Sequence, residues 1–208
     1  TPEGNMQPTI LFPRVTPAES LQVVLGQSVE IQAVERVILN KDGTYEKKSL
    51  GSASDQPLGV YFPPVSGNIE SRSMLICEGK ENLATLSYLY QDHHCLAMGG
   101  ADNLPNAIEF AKSHQCTDAI VFADNDSSGK GRDKAYETQD LFQAAGIQCN
   151  IIMPKEIGKD ANDVVMADGG GFGRYGLLES WINQECEVIS PPEPEEQDLQ
   201  LSDLLESA

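Results

Sequence analysis

From residue 73 onward, short apolar runs alternate with helical patterns, and this predicts an α/β fold built on a parallel sheet of about four strands with helices on both faces. A second observation is the polar, β-branched stretch upstream, which predicts a small β-rich unit before that sheet. The third is spacing: runs at 74–77, 94–98, 119–123 and 148–153 leave room between them for one helix each, the signature of parallel strands joined by crossovers.

Residues 1–29 are rich in Pro and Gln with weak periodicity, and are expected to be a linker or lead-in carrying at most one short strand. In the segment 30–71, "IQAVERVILN" alternates as a strand, "KDG" is a turn signal, "TYEKKSLG" is a second polar strand, and "LGVYFPP" is a third closed by two prolines. Residues 72–168 carry the four apolar runs, with helices predicted at about 80–91, 104–114, 130–145 and 161–167. In 169–189, "ADGGGFGRYG" is expected to be flexible and "LLESWINQE" to form a last helix. Residues 190–208 form an acidic tail expected to be disordered, in which "LSDLLES" could turn helical against a protein partner.

The chain has 208 residues, 40% of them apolar, enough for one good-sized domain with a smaller attached unit. No apolar run approaches the roughly 20 residues of a membrane span, so no membrane partner is expected. The opening residues lack the basic end and apolar stretch of a secretory signal, and a start at Thr1 suggests a piece excised from a longer protein. The five cysteines are an odd number without a Cys-x-x-Cys pair, which argues against a disulfide framework or a zinc ribbon within the chain and fits a reducing cytoplasm. His93-His94-Cys95 and His114-Gln115-Cys116 fit packing better than metal ligation. The net charge of −18 is a poor guide to the site, because residues 185–208 alone hold eight acids and no Lys or Arg.

In a parallel sheet, ligands bind outside the carboxyl ends of the strands. The residues there are Glu78-Gly79, Gly99-Gly100, Asp124-Asn125-Asp126, and the segment from Pro154 to Lys159-Asp160. Three of these four ends send carboxylates to one rim. Asp124 and Asp126 alternate along an extended segment, so both leave the same side of the backbone, as gripping a hard cation requires. Like charges about 4 Å apart cost about 4 kcal/mol at an effective dielectric near 20, and a divalent cation such as Mg²⁺ or Mn²⁺ removes that cost. Glycines at 79, 99, 100, 129 and 131 allow backbone to approach a phosphate.

Residues 72–166 resemble the Toprim domain of bacterial-type DNA primases, type IA and II topoisomerases and some nucleases. "LICEGKENLATL" is similar to its opening Glu-Gly motif, "IVFADNDSSGKG" to its Asp-x-Asp-x-x-Gly motif, and "MPKEIGKDANDVV" to the Gly-Lys-Asp segment that closes the primase version. "MGGADN" sits where primases carry a Gly-containing loop. "KDANDVV" and the upstream β segment lean toward primases or primase-helicases of phages, plasmids and integrated elements. Where the replicative enzymes read Lys-Asp-Pro-Asp, this chain has Lys159-Asp160-Ala161-Asn162, which keeps Asp160 and leaves the roles of Asn162 and Asp163 open.

The resemblance implies a Toprim-like fold and Mg²⁺-dependent nucleotidyl transfer in primer synthesis. Glu78 would be the general acid/base and could share in the metal site. Asp124 and Asp126 would be the principal ligands and Asp160 an accessory one, with Gly79, Gly129, Lys130 and Arg132 around the triphosphate. The implied partners are NTPs, a single-stranded DNA template, and zinc-ribbon and helicase domains of a longer parent. A template track is not evident, since only five Lys and Arg precede Arg72. Two other readings stand beside this one. One is a Toprim nuclease or topoisomerase-like enzyme, which would need a basic cleft or a nucleophilic Tyr supplied by another domain, since Tyr88 and Tyr90 read as packing residues. The other is an inactive metal-binding module that docks replication proteins through the acidic tail.

Overall fold

The computed structural model describes residues 9–29, 31, 33–40, 42, 44–51, 56–65, 70–160, 162–163 and 185–192. Its centre is a six-stranded sheet in the order β4-β6-β5-β7-β8-β9. The four middle strands are β5 (Ser73–Cys77), β6 (His94–Ala97), β7 (Asp118–Phe122) and β8 (Gln148–Pro154), and they are mutually parallel. Alternation along β5 sends Met74 and Ile76 to one face and Leu75 and Cys77 to the other, so the two faces carry separate apolar cores. Helix α2 (Lys80–Leu89) covers the second face through Leu83 and Leu86. Helices α3 (Ala107–Ser113) and α4 (Lys130–Ala144) cover the first through Phe110 and Phe142. In α4 the buried positions 131, 135, 138, 139 and 142 form one helical stripe.

The sheet gains two edges that the sequence reading assigned elsewhere. β4 (Val60–Phe62), expected as the third strand of the β-rich unit, instead pairs antiparallel with β6. Val60 and Tyr61 are buried there, which a two-layer position satisfies and a small outlying sheet would not. β9 (Cys186–Ile189) lies at the end of the 169–189 segment, directly after the stretch read as a last helix, and runs antiparallel along β8. Its β-branched residues fill an open edge, and Gln139 Nε2 holds it by donating to the carbonyls of Ile189 (3.0 Å) and Cys149 (2.9 Å). The expected helix at 161–167 and the rest of 169–185 lie outside the described residues, apart from 162–163 and 185, and so does the tail beyond 192.

The supposed lead-in is structured from residue 9. β1 (Thr9–Arg14) pairs with β2 (Ala33–Leu39), which pairs with β3 (Tyr45–Gly51), giving an antiparallel sheet. Helix α1 (Pro17–Val24) follows β1 and begins with a complete capping box. The Thr16 hydroxyl accepts from the Glu19 N–H at 3.3 Å, and the Thr16 N–H donates to Glu19 Oε2 at 2.8 Å. The predicted helix 104–114 divides into a 3₁₀ turn at Ala101–Asn106 and α3, with Pro105 inside the turn.

Candidate functional site

Along the chain the middle strands run β5, β6, β7, β8, but β6 and β7 lie on opposite sides of β5. The chain leaving β5 enters α2 on one face, and the chain leaving β7 enters α4 on the other. Their divergence opens a crevice at the carboxyl ends of β5 and β7, the switch point where α/β sheets take ligands. Glu78 follows β5 and Asp124 follows β7, so both carboxylates stand at that crevice. Asp160 reaches it because the segment after β8 folds back: the Asn125 N–H donates to the Lys159 carbonyl at 3.0 Å.

These acids carry the burden expected of crowded like charges. Asp124 is pushed up to about 7, first by burial and then by the charges of Glu78 and Asp160. Glu78 is raised, mainly by burial, and its Oε1 is buried without a hydrogen-bond partner among the described residues. Asp160 is raised as well, again chiefly by burial; its Oδ1 accepts from the Asp163 N–H at 2.8 Å. Asp126 behaves in the opposite way. Bonds from Ser128 and from the Gly131 N–H (2.9 Å) hold it down to about 2, with the Ser128 N–H at 2.7 Å. It thus caps the start of α4 as a permanent anion.

Two glycines make this approach possible. Gly129 caps α4 at φ +74°, in the left-handed region. At Gly131 a Cβ would lie 2.4 Å from the Asp124 carbonyl, 2.8 Å from Glu78 Oε1 and 3.2 Å from Asp126 Oδ2, so only hydrogen fits between the acids and the helix.

A cleft of about 220 Å³ opens over Glu78, Gly79, Gly99, Gly100 and Asp124, and its opposite wall is the β-rich sheet, which contributes Arg14, Glu35 and Lys47. Lys80, only 4% exposed, fastens that wall: it pairs with Glu35 and lies 5.7 Å from the centre of the Phe12 ring. Arg14 donates to the Leu58 carbonyl at 2.9 Å, and Lys47 pairs with Glu81 at 3.1 Å. None of these cations was singled out in the sequence, because each enters through strand pairing far from the acids in the chain. Lys130 and Arg132, which were singled out, are exposed outside this cleft, and Lys130 pairs with Asp102 at 2.6 Å. Tyr90 packs against Phe122 as expected, whereas Tyr88 is 41% exposed.

Asn82 is a further residue the sequence reading passed over. It is 2% exposed and joins the Asp124 carboxylate to the backbone at Asn162.

The donor set suits a hard divalent cation: every candidate atom is a carboxylate oxygen, one buried oxygen lacks a partner among the described residues, and the Gly131 cradle keeps the space open. Among the described residues, no three His, Cys, Asp or Glu side chains are gathered into a ready coordination sphere. The residues therefore fit such an ion in kind, without being drawn together around one.

The fold and this rim resemble those of a Toprim domain. Residues 73–171 match a family model described as Toprim domain, a little under half of the chain. Among solved structures, the chain is similar to the Aquifex aeolicus primase (zinc-binding and RNA polymerase domains). The identity is 14% and the TM-score 0.53, over 91% of this chain and 44% of that one. It is also similar to a DNA primase domain from Pseudomonas aeruginosa, at 15% identity and TM-score 0.45, over 77% of this chain and 53% of that one. The chain thus spans about half the length of the structures it resembles. No curated protein matches it. The Toprim resemblance and the primase-like fold read from the sequence are both shown; among the described residues no helix is long and apolar enough to cross a membrane.

Proposed function

We propose that this chain carries out divalent-metal-dependent nucleotidyl transfer in primer synthesis, as the catalytic Toprim unit of a mobile-element type of DNA primase. The observation that carries the reading is the meeting of Glu78, Asp124 and Asp126 around the Gly131 cradle, where Asp126 is held ionised while burial and like charge push Asp124 up to about 7. Asp124, Asp126 and Asp160 would hold Mg²⁺ or Mn²⁺, with Glu78 at its margin. When bound, the ion would polarise the α-phosphate and neutralise the departing pyrophosphate.

Glu78 takes the proton of the attacking 3′-hydroxyl, a task suited to a carboxylate whose Oε1 has no competing partner among the described residues. Arg14 and Lys47 lie across the cleft from Glu78 and Asp124, where they can attract the triphosphate. Lys130 and Arg132, exposed outside the cleft, would take an outer phosphate or the template strand. The single-stranded template and any zinc-ribbon or helicase domains belong to the same proposal.

The test is primer synthesis on single-stranded DNA with four NTPs, using the chain together with whatever other domains its reading frame encodes. Glu78→Gln keeps the shape and removes the charge and proton-carrying capacity. Synthesis should fall by about 10²- to 10⁴-fold, the usual contribution of a general base, while thermal stability without metal is kept. Near wild-type synthesis by the variant would remove Glu78 from the chemistry.

A further inference from the structure

Asn82 sits in the first turn of α2, four residues beyond Glu78, and is buried among charged groups although it is itself neutral. Both ends of its amide are used. Nδ2 donates to Asp124 Oδ1 at 3.2 Å, and Oδ1 accepts the Asn162 N–H at 2.8 Å. The two partners fix the amide orientation, since a carboxylate only accepts and a backbone N–H only donates. The far partner is anchored in turn by Thr85, one helical turn further along α2, whose hydroxyl donates to Asn162 Oδ1 at 2.8 Å. Two residues before Asn162, Asp160 and Asp163 exchange backbone-to-carboxylate bonds of 2.8 and 3.3 Å, which ties the Asp160 carboxylate to the same turn.

We propose that Asn82 is a positioning residue that locks the Asp124 carboxylate and the Asp160–Asp163 turn into one unit, so that the acids after β7 and β8 meet a divalent cation already aligned. The proposal rests on the metal-site reading above and deepens it. Asp124 and Asp160 leave different strands, and among the described residues no hydrogen bond joins their side chains directly. Asn82, standing on the helix that follows β5, supplies the connection between the three strand ends. A neutral amide suits the position because it donates to one carboxylate without adding a charge to a rim that already repels itself. An apolar side chain would leave the Asn162 N–H unpaired and Asp124 free to rotate.

The experiment is calorimetric titration of Mn²⁺ into the chain as it stands, comparing wild type, Asn82→Ala, Asn82→Leu and Asp124→Ala. Melting temperatures of each in chelator show that the titrated protein is folded. Groups that orient ligands without touching the metal are typically worth about 10- to 100-fold in metal affinity. Asn82→Ala is expected to weaken Mn²⁺ binding by about that factor, and Asp124→Ala to weaken it further. Asn82→Leu fills the volume without adding a charge, and should lose affinity in the same way even if the alanine variant fails to fold. Wild-type affinity in a folded Asn82 variant, alongside lost affinity in Asp124→Ala, would overturn the positioning role and leave the metal site intact. Wild-type affinity in Asp124→Ala would overturn both. A purely structural role would lower the melting temperature in chelator and leave the affinity unchanged.

Discussion

At the amino end of β6, His94 is buried between two partners: its Nε2 meets the Ser71 carbonyl at 2.9 Å, and its Nδ1 meets the Tyr61 hydroxyl at 2.6 Å. Since a carbonyl only accepts, Nε2 carries the proton and Nδ1 accepts from Tyr61. His114, whose ring centre is 4.6 Å away, meets Ser20 at 2.8 Å. Ser20 spends its own proton on the Pro17 carbonyl, so His114 is the donor in that pair. At the other end of the same sheet, Glu78 Oε1 is buried without a partner among the described residues, and Asp124 is half-buried against like charges. Both ends bury polar groups. One end pairs them and ties α1 to the end of α3, whereas the other leaves them in mutual repulsion. A half-satisfied rim costs stability, and such rims persist where a ligand completes them.

The comparison breaks if substitutions at the two ends act alike. The largest stability effect is expected at the paired end. Tyr61→Phe leaves a buried imidazole nitrogen without its donor and should cost about 1–3 kcal/mol by denaturant unfolding. A cost within error of zero would mean that the histidine cluster contributes little. At the crowded end the sign reverses, and the effect is smaller because solvent screens part of it. Asp124→Asn removes one of the repelling charges, so at pH 8 in chelator its melting temperature should lie above wild type. A melting temperature below wild type would show that Asp124 is held by favourable bonds rather than tolerated.

The smallest effect is a pair of opposed pH slopes. Asp124 is raised to about 7, so between about pH 4 and 7 the folded state binds more protons than the unfolded one, and this term lowers stability as pH rises. His114 is lowered to about 4 by burial and by His94. His94 is lowered too, by burial, with its bond to Ser71 opposing and His93 adding. For the histidines the unfolded state binds more protons from about pH 4 to 6.5, so their term raises stability as pH rises and is lost on acidification. Melting curves from pH 4.5 to 7.5 in chelator should therefore climb more steeply for Asp124→Asn than for wild type. For His114→Gln they should climb less steeply than for wild type. Two variants that both track the wild-type profile would dissolve the contrast between the ends.

What the sequence made legible follows the same division. β5 to β8 and the acids after them could be read because a parallel strand buried on both faces is a plain apolar run, and topology then brings the strand ends together. The allegiance of β4 and β9 could not be read, since "VYF" and "CEVI" suit any antiparallel edge and only the long-range partner decides which. α1 left a usable signal in Thr16-Pro17-Ala18-Glu19, a capping box with proline at its first position, that was outweighed by the Pro- and Gln-rich surroundings. Asn82 left none: a neutral residue in the first turn of a helix looks like solvent-facing filler until its two partners, 42 and 80 residues away, are in place. Arg14 and Lys47 were hidden for the same reason, because the cleft exists only once the β-rich sheet has docked on α2.

The most direct test of the central claim, that the crowded end is completed by a divalent cation, is the melting temperature of this chain at pH 7.5 as Mg²⁺ is raised from chelator to saturation. A ligand that binds only the folded form stabilises by RT ln(1 + [L]/Kd). The wild type should therefore melt at steadily higher temperature as Mg²⁺ increases, while an Asp124→Ala/Asp126→Ala variant stays flat. An equal rise in both proteins, or no rise in the wild type, would contradict the account.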